Sequence, residues 1–431
     1  TLNEGDWPVL DHLEQWLGGQ PWRNRPVGRA RKMLKHACVR FQQLTSPAAA
    51  KAVEDTAFYR SAVLLSRNDV GFSTEQFSAP LADFHAANQQ RLKTFPGNLL
   101  ATATHDHKRG EDTRARLAVL SECASWYAEQ VEHWRRLAEP LRESAESPSA
   151  GDELILYQVL LGSWPLEPNP DLEAYQQRLW QWQQKALREA KLQSSWSAPN
   201  EAYEQAVEAF LKRLLLSEAG APLRSALDSA AQAIAPAGAL NGLAQTLLHL
   251  TVPGVPDIYQ GDEFWDFSLV DPDNRRPVDF AARQRALQAP PDIGELLFNW
   301  RDGRIKQAVI AQVLGLRKAC PELLRHGSYT PLEVLGQHAE RVVAFYREHQ
   351  GRQLLVVVPR WSYPLLENGM FPQINAQVWG DTRVKLPFAA PAQNWKGLFQ
   401  TGVVTPNKEL LISAALGDLP VNVFINPDNQ E

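Results

Sequence analysis

Apolar and polar positions along the 431 residues fall into three textures. Trp7, Leu10, Leu13 and Leu17 recur at helical spacing before Gly18-Gly19 stops the run, so 7–45 predicts two helices. Pro47 breaks the next segment, and 48–59 fits either a helix or the end of a strand. Asn68-Asp69, Gly71 and Pro80 mark a loop over 68–80. At 99–104 six small and apolar residues predict one buried strand, and the polar or turn-forming residues 105–112 follow it abruptly. Leu117, Leu120, Ala124, Tyr127, Val131, Trp134 and Leu137 then step by three and four, one continuous helical face that Pro140 ends. Further helices are predicted around 153–162, 171–193 and 201–217, and an Ala-rich one over 223–250 interrupted near Pro236 and Gly238. Periodicity fails at 251–263, where prolines and glycines frame a short buried strand around Val255 and Ile258. Residues 296–320 read as helical. After Pro321 the texture changes to β-branched and aromatic runs at 341–346, 353–358, 383–386, 410–413 and 421–425, an all-β module.

Composition narrows the classes. The length predicts two or three domains, and 44% hydrophobic with 22% charged residues is ordinary globular usage. A net charge of -5 argues against a nucleic-acid or anionic-membrane partner. No apolar run approaches the roughly 20 residues that a bilayer requires, and no signal pattern is present at Thr1-Leu2-Asn3. Cys38, Cys123 and Cys320 are too few and too far apart for a disulfide framework or a zinc ribbon, which fits a reducing, cytoplasmic setting. Most of the fourteen tryptophans serve packing, yet flat aromatic platforms also suit the apolar faces of sugar rings.

Ligand chemistry in α/β folds collects at the carboxyl ends of strands, which draws the eye to Thr104-His105-Asp106. A carboxylate beside an imidazole can position sugar hydroxyls, one accepting and the other donating; capping of the following helix by Asp106 or Glu111 is the equally available bland reading. Lys108, Arg109, Glu111 and Asp112 follow closely. Glu54-Asp55, with Lys51 nearby, is a second acidic site or simply an exposed helix turn. Asp262-Glu263 is a third. The run 271–279, DPDNRRPVD, is a solvated loop by default, although Arg275 and Arg276 among aspartates can also be held rigid around a ligand. Nucleotide-binding, metalloprotease and serine-hydrolase motifs are missing. His105 and His107 lie two apart with no cysteine near them, so no metal and no cofactor is expected.

Together these pieces resemble the maltooligosyltrehalose synthase family, trehalose-forming members of the α-amylase superfamily. The resemblance rests on KAVEDTAFYR at 51–60, on 104–112, on Tyr157-Gln158 with Gly162-Ser163-Trp164-Pro165, and most of all on PGVPDIYQG at 253–261 with WDFSLVDPDNRRPVD at 265–279. It implies an α/β plus β fold: the C-terminal part of a (β/α)8 TIM barrel, about strands six to eight, with a helical insertion and a C-terminal all-β domain. The corresponding boundaries are a partial barrel with strands six and seven over 1–112, a helical subdomain over 113–238, the end of the barrel with strand eight over 239–320, and a β-sandwich over 321–431. The family usually carries glycine at the position of Ala52 and threonine at those of His107 and Asp262.

The implied activity converts the reducing-end α-1,4 bond of a maltooligosaccharide to an α,α-1,1 bond by retaining intramolecular transglucosylation. Asp106 is the implied catalytic carboxylate, and His105, Lys108, Arg109, Glu54, Asp55, Tyr259, Gln260, Arg275 and Arg276 are implied substrate contacts. The superfamily uses three carboxylates and only Asp106 has a counterpart here. The other two are expected upstream of Thr1, making the N-terminal half of the same enzyme the expected partner, a linear α-1,4-glucan the substrate, and the chain inactive alone. A non-catalytic glucan-binding module and another α-amylase-type hydrolase are the alternatives.

Overall fold

The computed structural model describes residues 4–17, 20–144, 147–288, 292–366, 370–387, 394–400, 402–406 and 408–426; Gly18-Gly19 lies outside them. The two runs that end in polar turns pair with each other. Leu99–Ala101 and Val255–Asp257 form a two-stranded parallel sheet, with Leu99 opposite Val255 and Ala101 opposite Asp257. Parallel strands need a long crossover, and here a helical array supplies it. The last crossover helix, Ala221–Thr251, returns the chain to the start of the second strand.

Both strands depart from expectation. The first is three residues rather than six. Beyond it the Thr102 carbonyl, which a longer ladder would use, accepts from Arg114, while the Thr102 hydroxyl donates to Glu111, so both are tied to the helix Glu111–Ala118. Nor are the strands buried: Leu99 is 70% and Val255 44% exposed. Upstream of Leu99 the described residues contain no strand, so a third barrel strand in 1–98 has no counterpart among them. The ambiguous segment 48–59 is helical throughout. Arg29–Ala52 runs straight through Pro47 and passes into a wider π-type turn at Val53–Ala57. The carbonyl that loses its helical N–H partner to Pro47 belongs to Gln43, on an exposed part of the helix.

The helical subdomain buries Trp134, Tyr157, Leu160, Leu179, Phe210 and Leu211 in one core. The single helix expected over 117–137 is two, Glu111–Ala118 and Ala124–Ala138, separated by a tight turn at Val119–Ser121. In the reverse sense, Ala221–Thr251 is unbroken at Pro236, because buried packing on several sides outweighs the propensity cost. Its Gly238 is required by close approach: a Cβ there would lie 2.7 Å from the Arg116 backbone. The segment 296–320 also divides, into Ile293–Phe298 and Arg304–Ala319, at Gly303, whose φ of 80° suits glycine.

The change of texture at 321 falls at the short helix Pro321–His326. After it, Thr330–Pro331, Val342–His349, Arg352–Pro359, Asn422–Ile425, Trp395–Gly397 and Val403–Val404 form a six-stranded sheet in that spatial order. Glu409–Leu411, Arg383–Lys385 and Val334–Leu335 form a second sheet of three. The run at 410–413 is thus strand only to Leu411 and then turns into Ile412–Ala415. One face of the large sheet meets the small one around Val357, Trp379, Val384 and Phe424. Its other face, through Val343, Phe345 and Val356, packs on Leu243, Leu247, Val309 and Val313, so a single core runs across residue 321. Among the described residues no helix is long and apolar enough to cross a membrane.

Candidate active site

Thr102 to Gly110 connects the first strand to the helix Glu111–Ala118, and its conformation is set locally. The Asp106 N–H donates to Thr104 Oγ1 at 3.2 Å and the His107 N–H to the Thr104 carbonyl at 3.4 Å, closing a turn with His105 and Asp106 at its exposed tip. From the far side, Asn274 Nδ2 donates to the His105 carbonyl at 3.0 Å and Arg275 to the same atom at 3.4 Å. The polar loop after the second strand therefore holds the tip of the first. The Tyr259 hydroxyl, donating to the Asn274 carbonyl at 3.2 Å, braces that loop in turn.

Around the tip lies a charged ledge. Lys108 is buried, but its Nζ sits 2.6 Å from Asp55 Oδ1, and Lys51 bonds the other Asp55 oxygen. Partial burial opposes the Asp55 charge, yet hydrogen bonds from Lys108 and Lys51 hold its carboxyl below the ordinary carboxylate range. Asp271 is held below that range in the same way, by Lys185 against partial burial, with Arg275 3.9 Å away. His105, Asp106, Lys108, Asp55, Tyr259 and Arg275 thus share one region.

The other expected contacts do not join it. Arg109 lies beneath the ledge, 2% exposed, with its guanidinium on the Asn68 carbonyl at 3.1 Å and its N–H on Asp69; it cannot reach a sugar in this conformation. Glu54 is half-buried and accepts the Gly71 N–H at 3.2 Å. Arg276 bonds Asp273 and, with Gln260, lines a separate cleft of about 390 Å³ beside Asp266, Trp265 and Arg283. His105 and His107 part company, one exposed and one buried. Among the described residues no three His, Cys, Asp or Glu side chains converge on a possible metal position.

Beneath the ledge is a cluster that sequence reasoning missed. Glu111 and Asp112 open their helix and are both buried. Lys306, from Arg304–Ala319, is buried completely, with Nζ 2.5 Å from Glu111 Oε1, 2.6 Å from Asp112 Oδ2 and 3.3 Å from the Phe264 carbonyl. The Asp266 N–H donates to Asp112 Oδ2 at 2.8 Å, joining the loop after the second strand to the same group. Burial opposes every charge here. Lys306 and Thr102 nevertheless hold Glu111 below its usual range, while burial pushes Asp112 up to about 6 against the pull of Lys306. The two carboxylates in turn keep Lys306 protonated.

Asp262 is the outlier. It is 2% exposed and neither carboxylate oxygen has a hydrogen-bond partner among the described residues. Burial, then Glu111 and Asp266, raise its pKa well above the carboxylate range. With the folded value above the unfolded one, stability is lost as pH rises from the carboxylate range up to that raised value. Asp262→Thr is therefore expected to stabilise the chain by about 1–3 kcal/mol at pH 7.5, the cost of an unsatisfied buried polar group. The gain should shrink towards pH 5. Urea midpoints at the two pH values check both.

No protein-family model matches the chain. Two curated relatives from Mycobacterium tuberculosis, strains CDC 1551 and H37Rv, are named as maltooligosyl trehalose synthases; each is 37% identical over 390 residues, 90% of this chain and 45% of the relative. Among solved structures, the maltooligosyltrehalose synthase of Arthrobacter ramosus overlays with a TM-score of 0.72 at 31% identity, covering 91% of this chain and 47% of that one. A hypothetical maltooligosyl trehalose synthase of Sulfolobus tokodaii gives 0.72 at 26% identity, covering 98% and 51%. The chain spans about half the length of the relatives it matches. By sequence and by fold together, the chain is similar to about half of a maltooligosyltrehalose synthase.

Proposed function

We propose that the chain is the C-terminal part of a glucan-rearranging enzyme, with the Leu99–Ala101 and Val255–Asp257 strands as the last two of a (β/α)8 barrel. The observation that carries this reading is the exposed His105-Asp106 tip at the carboxyl end of a parallel pair, clasped by the 271–276 loop. Asp106 is then the carboxylate that stabilises the oxocarbenium-like transition state, and His105 hydrogen-bonds the same sugar. Asp55 and Arg275 form the wall that holds the terminal glucose, and buried Lys108 fixes the Asp55 carboxylate from beneath. A retaining transfer needs a nucleophile and an acid/base carboxyl about 5–5.5 Å apart, and both come from a segment outside this chain. The nucleophile displaces the reducing-end glucose of an α-1,4-glucan and forms a glycosyl-enzyme. The released glucose then attacks through its anomeric hydroxyl, giving the α,α-1,1 bond. Water has to be excluded during that exchange, or hydrolysis wins. The same upstream half covers the apolar flank left open at Leu99 and Val255.

Calorimetric titration of maltopentaose into the chain, alone and with the N-terminal half of a relative, tests the division of labour. Binding that strengthens at least tenfold with the second half is expected. Equal affinity in both arms would instead make this chain a self-sufficient glucan-binding module.

A further inference from the structure

We infer that His107 is a positioning residue: its neutral imidazole locks the turn that presents Asp106, through a one-way chain of hydrogen bonds from Thr104 to Asp266. The structural part stands on hydrogen-bond geometry; its bearing on catalysis rests on the role proposed for Asp106.

The turn is weakly closed without the imidazole. Its two local bonds, 3.2 and 3.4 Å long, sit at an exposed tip where water competes for them. His107 adds a buried clasp. Its Nδ1 lies 3.3 Å from the Thr104 N–H and its Nε2 3.0 Å from Ser268 Oγ, with the side chain 3% exposed. A backbone N–H can only donate, so Nδ1 has to be the bare nitrogen and Nε2 has to carry the proton. Nε2–H therefore donates to Ser268 Oγ, and the serine hydroxyl has to send its own hydrogen elsewhere. Asp266 Oδ2 accepts it at 2.9 Å, while Asp266 Oδ1 accepts the Ser268 N–H at 3.0 Å. Every donor direction in the relay is fixed by the first.

The far end of the relay is anchored. The Asp266 N–H bonds Asp112 of the Lys306 cluster, and the Gly110 N–H donates to the Ser268 carbonyl at 2.8 Å. An exposed turn is thereby registered against the most deeply buried charges of this region. Gly110 cannot carry a side chain here, since a Cβ would lie 2.5 Å from Asp266 Oδ2.

Such a clasp is sensitive to acid in one direction. Protonation places a hydrogen on Nδ1, facing the Thr104 N–H, and the clasp opens. The groups that face the ring are Asp266 at 3.9 Å, Asp69 and Glu111, which favour its charge, Arg114, which opposes it, and the Tyr259 ring, T-shaped to it at 5.9 Å between centroids. Asp69 is already engaged by the Lys108 and Arg109 N–H groups. Burial is the largest influence and moves the His107 pKa below the ordinary imidazole value. The turn is therefore closed at neutral pH and opens only as pH falls below the usual histidine range.

Nitrogen-15 labelling of the histidines and backbone hydrogen exchange, both on the 431-residue chain, test this without any assay of glucan chemistry. In the wild type at pH 7.5, a buried histidine in the Nε2–H tautomer is expected, with the Thr104 and Asp106 amides protected. Acidification should convert that tautomer and speed the two amides at least tenfold beyond the intrinsic pH effect. His107→Phe should leave them fast at every pH, with the helix Glu111–Ala118 unchanged as the control for folding. His107→Asn, whose Oδ1 replaces the Nδ1 acceptor, should restore Thr104 protection and abolish its acid dependence. An Nδ1–H tautomer in the wild type, or Thr104 and Asp106 exchange that is the same in wild type and His107→Phe, would overturn the inference. Because neither readout involves a sugar, failure of the transglucosylation reading leaves these results untouched.

Discussion

Replacing Lys306 by methionine is expected to destabilise the chain by about 3–5 kcal/mol, the penalty for leaving a buried ion group without its counter-charge. Methionine keeps most of the length and apolar stem, so the loss reports the charge rather than a cavity. Two carboxylates, Glu111 at 2.5 Å and Asp112 at 2.6 Å, depend on that single ammonium. Against a total stability of about 5–15 kcal/mol for a domain, the effect is large. The pH dependence gives it a signature. Without Lys306 the folded pKa of Glu111 is expected to rise above its unfolded value and that of Asp112, already raised by burial, to rise further, so the variant loses stability as pH climbs from the carboxylate range towards those raised values. Urea unfolding should therefore show a smaller deficit at pH 5 than at pH 7.5. A deficit below about 1 kcal/mol at both would mean that the cluster is solvated and not the anchor described above.

The second large effect is on chemistry. In the complete enzyme, Asp106→Ala is expected to abolish transfer, a fall in kcat on the order of 10³-fold or more, as when charge stabilisation is removed from a transition state. The side chain is exposed at a turn tip, and such substitutions usually move stability by no more than about 0.5 kcal/mol. Unfolding midpoints that match while turnover vanishes would place the loss in the reaction. Turnover near wild type would remove Asp106 from its role.

Much of this region is legible in the sequence because turn chemistry is local. The break after 99–104, the proline- and glycine-framed turn at 251–263 and the rigid 271–279 loop each mark themselves, and the structure brings all three together. The β runs at 341–346 and 353–358 are also legible, and the structure joins them as a hairpin of Val342–His349 with Arg352–Pro359, turned by Gln350-Gly351, both at positive φ. Tertiary packing decided the rest. Pro236 reads as a helix break, but the helix around it is buried on several sides; Val119–Ser121 reads as helix, yet the chain turns there.

Lys306 was detectable in principle. It lies on the stripe of Val309, Ile310 and Val313, the one charge on a core-facing surface, and a buried lysine demands a carboxylate partner. What no local pattern reveals is that the partners are Glu111 and Asp112, some two hundred residues earlier. Likewise Arg109 reads as a surface clamp because it follows Lys108 in a polar run, although Arg109, like Lys108, is buried. Its burial follows only from Asn68 and Asp69 lying over it.

Product analysis after incubation with maltopentaose is the most direct measurement of the proposed division of the site. Reducing-end loss and new non-reducing, trehalose-ended sugar should be followed together, with the purified chain alone and with the N-terminal half of a relative. We predict no product from the chain alone, and non-reducing product from the mixture that disappears with Asp106→Ala. Trehalose-ended product from the chain by itself, or product from the mixture that survives Asp106→Ala, would contradict it.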